Sequence, residues 1–463
     1  MTINNYDLII VFGYFIVLFF IGFFRKKEDQ VSQIDYILSG RKLSLPGFVM
    51  TLVSTWYGAI LGVGENTYLY GIQTWFIFAL PYYVFAIAYA IWLTKVIWNK
   101  NILSIPDIFR KSYGDEVGII SAIFIFVLSS PAPYILSLGV LINFIFQIKL
   151  VWCLLIATIF STIYVWRGGL SSIIKTDYLQ LILMFLGFFA LIGFSWYNSV
   201  SPFMLFKSLP DSHIDPLGGN SIQYVLVWFF IAVWTIIDPN FFQRCAAVKN
   251  PEIAKKGLLI SVCFWFLFDL MTLTAGLYAY IFIIPENPVM TYPLLGFEVL
   301  PPGFLGLFLI SIFAIIMSTI DSMSFVNAIT IGRDIFWRIR KKDSNKNPVF
   351  LIRRGLFAVS LLSILLSLAI PSVVKMIYTI GSIIIPGLIL PFINALKNFN
   401  IRTTKIQAIL WICIPIAISS IALFMSKLNF EFYPDIEPFY PGMFTSIIIF
   451  SFLKINTAFK KEI

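Results

Sequence analysis

The sequence has one histidine, four cysteines and very little charge. Only 12% of its 463 residues are Asp, Glu, Lys or Arg, against about 25% in a soluble globular chain. His213 is alone and lies in a polar interval between apolar runs. It leaves little equipment for hydrolytic or metal-assisted chemistry, so an enzyme is not expected. Cys153, Cys245, Cys263 and Cys413 show no CxxC spacing, and three of them sit inside apolar segments. They read as small core residues rather than as a disulfide framework or a zinc site. No GxxxxGK[ST] loop occurs. No polar interval exceeds about 20 residues, the longest being 25–43, 199–220, 285–298 and 334–351. That leaves no room for an ATPase domain, so any active transport must draw on an ion gradient.

What the chain does have is apolar surface. Hydrophobic residues make up 59%, aromatics 17% with 48 Phe, and mean hydropathy is +0.90. A set of soluble domains is excluded for want of polar surface, and disorder for the opposite reason. The apolar stretches are continuous rather than alternating, which argues against a membrane β-barrel. An all-α integral membrane protein remains, with the lipid bilayer as its main partner. The formal charge of +10 would suggest nucleic acid in a soluble chain. Here the basic residues sit in short loops, where membrane sidedness explains them; neither nucleic acid nor an obligatory protein partner is expected.

Windows of about 20 apolar residues mark spanning helices. Thirteen are counted: 8–24, 44–66, 73–98, 117–145, 149–167, 171–198, 221–240, 254–284, 299–333, 352–371, 373–395, 406–426 and 439–456. The first lacks a basic leader and is followed by Arg25-Lys26-Lys27, so it reads as a retained anchor rather than a cleaved signal. With the N-terminus outside and sides alternating, 29 of the 33 basic residues fall inside; only Lys149, Lys207, Lys375 and Lys427 stay outside. Lys/Arg excess marks the cytoplasmic side. The expected topology is N-out and C-in, in the plasma membrane.

Ionisable residues inside apolar windows are costly and point to function. Asp177, Asp238, Asp269 and Asp321 qualify, with Glu65 at the outer end of the second window. Ser318, Asp321 and Ser322 share one helix face, and Thr319 is adjacent. Three hydroxyls and a carboxylate on about one turn suit a hard cation; back-bonding or close packing accounts for the hydroxyls but not for the charge. The segment from Ser54-Thr55-Trp56-Tyr57 to Gly58 and Gly62 interrupts a membrane helix with glycine and polar residues. It suits close helix packing and an unwound helix with free carbonyls about equally. Asp177 reads as an acid in the first turn of a helix, and Asp238-Pro239 as a helix stop. Gly381 and Pro386 bend a spanning helix and mark a hinge or gate as readily as a passive kink.

Together these motifs resemble the sodium/solute symporter family, which includes sodium-coupled sugar, proline, pantothenate and sialic acid carriers. The resemblance rests on Gly62-Val63-Gly64 with Tyr70-Gly71, Gly168-Gly169-Leu170 leading to Thr176-Asp177 and Gln180, Gln243-Arg244 after Asp238-Pro239, Met317 to Ser322, and Gly381-Ser382 with Pro386. It covers nearly the whole chain.

The resemblance implies a LeuT-like core of five plus five inverted helices, with one helix before it and two after. In a single transporter domain over 1–463, residues 8–43 would form the leading helix and loop. Residues 44–198 and 221–395 would form the two repeats, and 406–456 the trailing helices. It implies a coupling Na+ held by carbonyls of Leu52, Thr55 and Ile315 and hydroxyls of Ser318 and Thr319. A second cation site would use Asp177, Ser318, Asp321 and Ser322. Ser54, Trp56, Tyr57 and Trp234 would meet the solute, while Gly58, Gly62, Gly381 and Pro386 would serve as hinges or gates. Positions matching the amide and acid side chains of the sugar carriers are Ser54, Ala59 and Ile231, which disfavours a sugar. The family's break in core helix 6 has no counterpart here, since 221–237 contains no Gly or Pro.

The expected function is secondary active transport, coupling sodium influx to uptake of a small organic solute by alternating access. A proton-coupled transporter of the same fold is one alternative, and a non-transporting receptor or sensor is the other.

Overall fold

The computed structural model describes residues 3–23, 32–340, 348–397, 401, 403–428 and 436–462. Apart from one isolated bridge between Leu43 and Val248, the described residues form helices, turns and loops. The basic residues Arg25, Lys26, Lys27, Lys341, Lys342, Lys346 and Arg402, used above for sidedness, lie outside the described residues.

The elements that position the site are, in chain order, α1 (Asn5–Phe23), α2 (Leu45–Ser54), α3 (Ile60–Tyr70), α4 (Gln73–Phe78), α5 (Leu80–Trp92), α6 (Ile105–Tyr113), α7 (Asp115–Leu128), α8 (Ala132–Phe146), α9 (Leu150–Gly168) and α10 (Leu170–Tyr197). Next come α11 (Ile222–Ile231), α12 (Trp234–Ile237), α13 (Pro239–Ala247), α14 (Pro251–Phe282), α15 (Thr291–Val299), α16 (Phe304–Ile329), α17 (Val349–Ala369), α18 (Val373–Lys397), α19 (Lys405–Lys427) and α20 (Phe439–Glu462).

Local chemistry explains where they start. Asn250 accepts from the Ile253 amide at 3.1 Å and Pro251 opens α14, a cap followed by a proline pre-set for the first turn. Thr404 and Gln407 form a reciprocal capping box at α19. α16 is capped from another helix: Asp7 Oδ1 accepts from the amides of Gly303 and Gly306, both at 2.7 Å. A carboxylate there satisfies orphan N–H groups and faces the positive end of the helix dipole.

α16 is the centre of the molecule. It is mostly apolar, with its acid and hydroxyls gathered around residues 318–322, and residues 308–334 are buried without a break, as expected of a helix in the core of a large bundle. α10, α1 and α17 pack around it. The outer faces of the bundle carry exposed apolar side chains such as Phe189, Phe357 and Phe444, the surface that lipid covers. The chain is a multi-pass membrane protein.

Two expectations need correction. Among the described residues twelve helices, not thirteen, are long and apolar enough to cross a membrane. The missing one is the window 44–66, which is split into α2 and α3, with residues 55–59 between them non-helical. Neither half alone reaches the length a bilayer requires, so a crossing here takes both halves of the broken helix together. The second correction concerns 221–240, which is broken after all. α11 ends at Ile231, a short α12 follows, and α13 starts afresh at Pro239. Asp238 is extended (φ −70°, ψ 123°) and accepts from the amides of Asn240 and Phe241 at 2.8 and 3.0 Å. It is the N-cap of a new helix rather than a stop: a residue before proline is pushed out of the helical region, and proline then opens a first turn.

Candidate functional site

The break between α2 and α3 faces the middle of α16, where the chemistry-bearing residues meet. Ser54 Oγ and Thr55 Oγ1 donate back to the carbonyls of Met50 and Thr51, at 2.9 and 2.5 Å, which competes with helical bonding at the end of α2. Because residues 55–59 are non-helical, the Thr55 carbonyl is available and accepts from Thr319 Oγ1 at 2.8 Å; the same hydroxyl lies 3.3 Å from the Ile315 carbonyl. Ser318 Oγ donates to Asp177 Oδ1 at 2.6 Å and lies 3.1 Å from Ser54 Oγ. Thr55, Ile315, Ser318 and Thr319 therefore come together with Asp177, while Leu52 lines the neighbouring cavity. Gly58 permits the approach, since a Cβ there would stand 2.5 Å from Thr319 Cβ.

Asp177 is fully buried in the third turn of α10, too deep to be a first-turn residue. Its second oxygen accepts from Thr51 Oγ1. Asp321 is also fully buried, but its Oδ2 accepts from Tyr164 of α9 and its Oδ1 has no partner. No hydrogen bond joins it to Asp177. Ser322 turns to a residue that sequence reasoning noted only as part of a motif: Arg244 of α13. This guanidinium has no exposure. Its Nη2 donates to Ser322 Oγ at 2.7 Å and to Thr51 and Thr55 Oγ1, each at 3.0 Å; its Nη1 reaches Asn240 Oδ1 at 3.3 Å. Asp177 Oδ2 stands 4.0 Å away. A buried arginine thus rests mostly on neutral oxygens, with its carboxylate at the limit of an ion pair.

Beside this cluster is a cavity offering about 110 Å³ to the centre of a water-sized sphere. Trp56, Tyr57, Tyr82, Tyr134, Trp234 and Phe241 line it. Trp56 is the hub, with ring centroids 5.0 Å from Tyr82, 5.6 Å from Phe241 and 5.1 Å from Trp265. Two carboxylates, Asp238 and Asp269, also line the wall, and Asp269 accepts from Tyr83 of α5. Ser54, expected at the solute, belongs to the oxygen cluster instead. Gly381 packs against the break itself: a Cβ there would lie 3.0 Å from Ile231 and 3.7 Å from Trp234. Gly62 abuts Val374 in the same way, and Pro386 lies within α18.

Sequence reasoning missed Thr51, Arg244, Tyr82, Tyr134 and Phe241 as site residues. Thr51 had a usable sign, sharing a helix face with Ser54 and Thr55. Arg244 and the aromatics had none, because nothing local distinguishes them from a loop cation and core rings.

Residues 36–414 match the sodium:solute symporter family. The chain is 23% identical over 403 residues to high-affinity choline transporter 1 of Drosophila melanogaster, covering 80% of this chain and 63% of that protein. It is 22% identical over 366 residues to sodium/proline symporter 2 of Staphylococcus saprophyticus, covering 74% and 70%. The chain therefore spans just under two thirds of the first relative's length. Among solved structures, a Na+-coupled sialic acid symporter in a substrate-bound outward-open state superposes with a TM-score of 0.80, at 16% identity and over 96% of both chains. At that identity the likeness shows the fold, which is the LeuT-like helical arrangement.

Proposed function

Because the chain belongs to the sodium:solute symporter family, we propose that it couples sodium influx to uptake of a small organic solute by alternating access. The observation that carries this reading is the oxygen cluster between the α2–α3 break and α16. The carbonyls of Thr55 and Ile315 both lie within hydrogen-bonding reach of the Thr319 hydroxyl, beside Ser318 and Asp177. Neutral oxygens from a broken helix suit a hard monovalent cation. Leu52, Thr55, Ile315, Ser318 and Thr319 hold the coupling Na+ in this reading. A second cation uses Asp177, Ser318, Asp321 and Ser322 and competes with Arg244 for the Ser322 oxygen. Trp56, Tyr57 and Trp234 meet the solute.

Residues 44–198 and 221–395 form the inverted repeats, between a leading segment 8–43 and trailing helices 406–456. Gly58, Gly62, Gly381 and Pro386 let them rock. The N-terminus is outside and the C-terminus cytoplasmic in the plasma membrane, so a cytoplasm-dependent reporter enzyme fused after Ile463 is active and a periplasm-dependent one is not.

A charge moving through 100 mV releases about 2.3 kcal/mol and a tenfold gradient about 1.4 kcal/mol. One sodium per neutral solute therefore sustains roughly 500-fold accumulation. The test is tracer uptake into vesicles carrying the purified protein. Uptake is expected with an inward sodium gradient and collapses when an ionophore dissipates it; accumulation indifferent to sodium would remove the reading. A proton-coupled version has one observation in its favour, the unpartnered oxygen of buried Asp321. It requires uptake to vary steeply between about pH 5 and 8, the range in which a shared carboxylate proton is exchanged; sodium coupling does not.

A further inference from the structure

The charges on the cavity wall bear on the class of solute it could hold. Four carboxylates are buried in the middle of the bundle, Asp177, Asp238, Asp269 and Asp321, against one buried guanidinium, Arg244. Arg244 is engaged by the hydroxyls of Thr51, Thr55 and Ser322 and stands nearest to Asp177. Asp238 and Asp269 belong to the cavity wall instead. They are 5% and 8% exposed, and neither has an ion-pair partner among the described residues. No Lys or Arg lines the cavity. A low-dielectric wall carrying two carboxylates and no cation is costly as it stands.

The remainder of the wall is aromatic. Indole and phenol faces present negative potential, and a cation within about 6 Å of a ring centroid gains up to about 2 kcal/mol or more once desolvated. Rings and carboxylates therefore select the same sign. The wall's one amide, Asn240, has its oxygen on Arg244 and its Nδ2 2.9 Å from Met323 Sδ, which leaves a polyhydroxylated solute with few partners. Two buried polar groups on the wall lack a partner, the Trp234 indole N–H and the Thr235 hydroxyl; Thr235 is 1% exposed and can both donate and accept. A water needs about 10–15 Å³ of such space. The 110 Å³ thus fits roughly seven to eleven heavy atoms.

We propose that the transported solute is a small organic cation: an alkylated ammonium seated among Trp56, Trp234 and Phe241, faced by Asp238 and Asp269, with a short polar arm toward Thr235. This deepens the symport reading and rests on it.

The test keeps the two apart. Thermal unfolding of the purified protein in detergent is followed first in NaCl against KCl, with no solute. Sodium-specific stabilisation supports the symport reading, and its absence removes that reading before any solute is added. In NaCl, the probes are then choline, tetramethylammonium, ethanolamine and guanidinium, with 3,3-dimethyl-1-butanol as the uncharged counterpart of choline, and glucose and lactate as neutral and anionic controls. At least one ammonium is expected to bind saturably, and choline at least tenfold tighter than its neutral counterpart. Asp269→Asn and Asp238→Asn shrink that ratio. Trp234→Leu, which keeps the site apolar, shrinks it without altering the sodium response. Sodium stabilisation with no ammonium bound, or with the neutral counterpart or a control binding as well as choline, overturns the proposal. So does a charge preference that survives all three substitutions.

Discussion

Two arginines are buried among the described residues, and their surroundings could hardly differ more. Arg244, wholly enclosed by the bundle, leans on three hydroxyls and an amide, with its carboxylate 4.0 Å away. Arg333, where α16 runs on into the π-helical turn Thr330–Trp337, is clamped by Asp107 at 2.7 Å and by Asp334. Arg110 at 2.6 Å and Arg338 at 3.4 Å close on the same Asp107, which ties α6 to the end of α16. Neutral oxygens are exchangeable: a guanidinium resting on them gives way to another cation at modest cost. Paired charges are not, because separating them leaves each uncompensated in a poor solvent. The central cluster is built to change partners and the terminal one to hold.

The sharpest test of that contrast is Asp107→Asn. Removing one member of a buried pair costs about 3–5 kcal/mol, so the variant melts well below wild type, while any transport it retains keeps its sodium dependence. A variant that melts normally but needs more sodium would reverse the roles of the two clusters.

Acid does the same more gently. Burial pushes the Asp107 carboxyl up, but the guanidinium groups of Arg333, Arg110 and Arg338 outweigh it and hold the group below its ordinary value. A lowered folded value means the stabilisation is complete above the unfolded value of about 3.9 and is lost as pH falls through the folded one. The melting deficit of Asp107→Asn relative to wild type is therefore constant from pH 8 to 5 and narrows only below about pH 4. A deficit that narrows near neutrality would mean that some other group sets it.

In the central cluster the expected effects are on sodium rather than on folding. Ser318→Ala removes an oxygen that meets both Asp177 and Ser54. An unreplaced ligand or orphaned partner costs about 1–3 kcal/mol, which raises the sodium concentration for half-maximal uptake roughly 5- to 150-fold. Unchanged sodium dependence in a well-folded variant would move the ion elsewhere. Ser322→Ala takes away the shortest Arg244 contact but leaves Thr51 and Thr55 in place. A single hydrogen bond is worth about 0.5–1.5 kcal/mol net, so this shift is the smallest. If it exceeds that of Ser318→Ala, Arg244 is a fixed post rather than a yielding one.

Much of the fold was legible because membrane insertion is read locally. A run of apolar residues specifies a span wherever it occurs, and twelve of the thirteen windows correspond to helices of spanning length. The exception was also marked, by Gly58 and the hydroxyls beside it. The second break was harder. Pro239 was visible, yet a proline that stops a helix and one that opens the next look alike until the chain beyond is seen to be helical. Nothing in the sequence marks the tighter turn at Ala232–Val233, where backbone bonds shorten to three-residue steps.

The same division holds at the site. Sequence alone sufficed for an all-helical membrane protein and for an acid and hydroxyls on one face of α16, and it left the break between α2 and α3 as one of two equal readings. Each of these follows from the hydropathy or helical periodicity of residues a few positions apart. Only the tertiary structure decided which groups those oxygens meet. Thr51 meets Asp177 across 126 positions, Ser318 meets Ser54 across 264, and Tyr83 meets Asp269 across 186. It likewise put Arg244 among hydroxyls and left Asp238 and Asp269 facing a ring-lined cavity. Such pairings depend on how whole helices pack, and the packing is set by the summed fit of many apolar side chains, which no local pattern encodes.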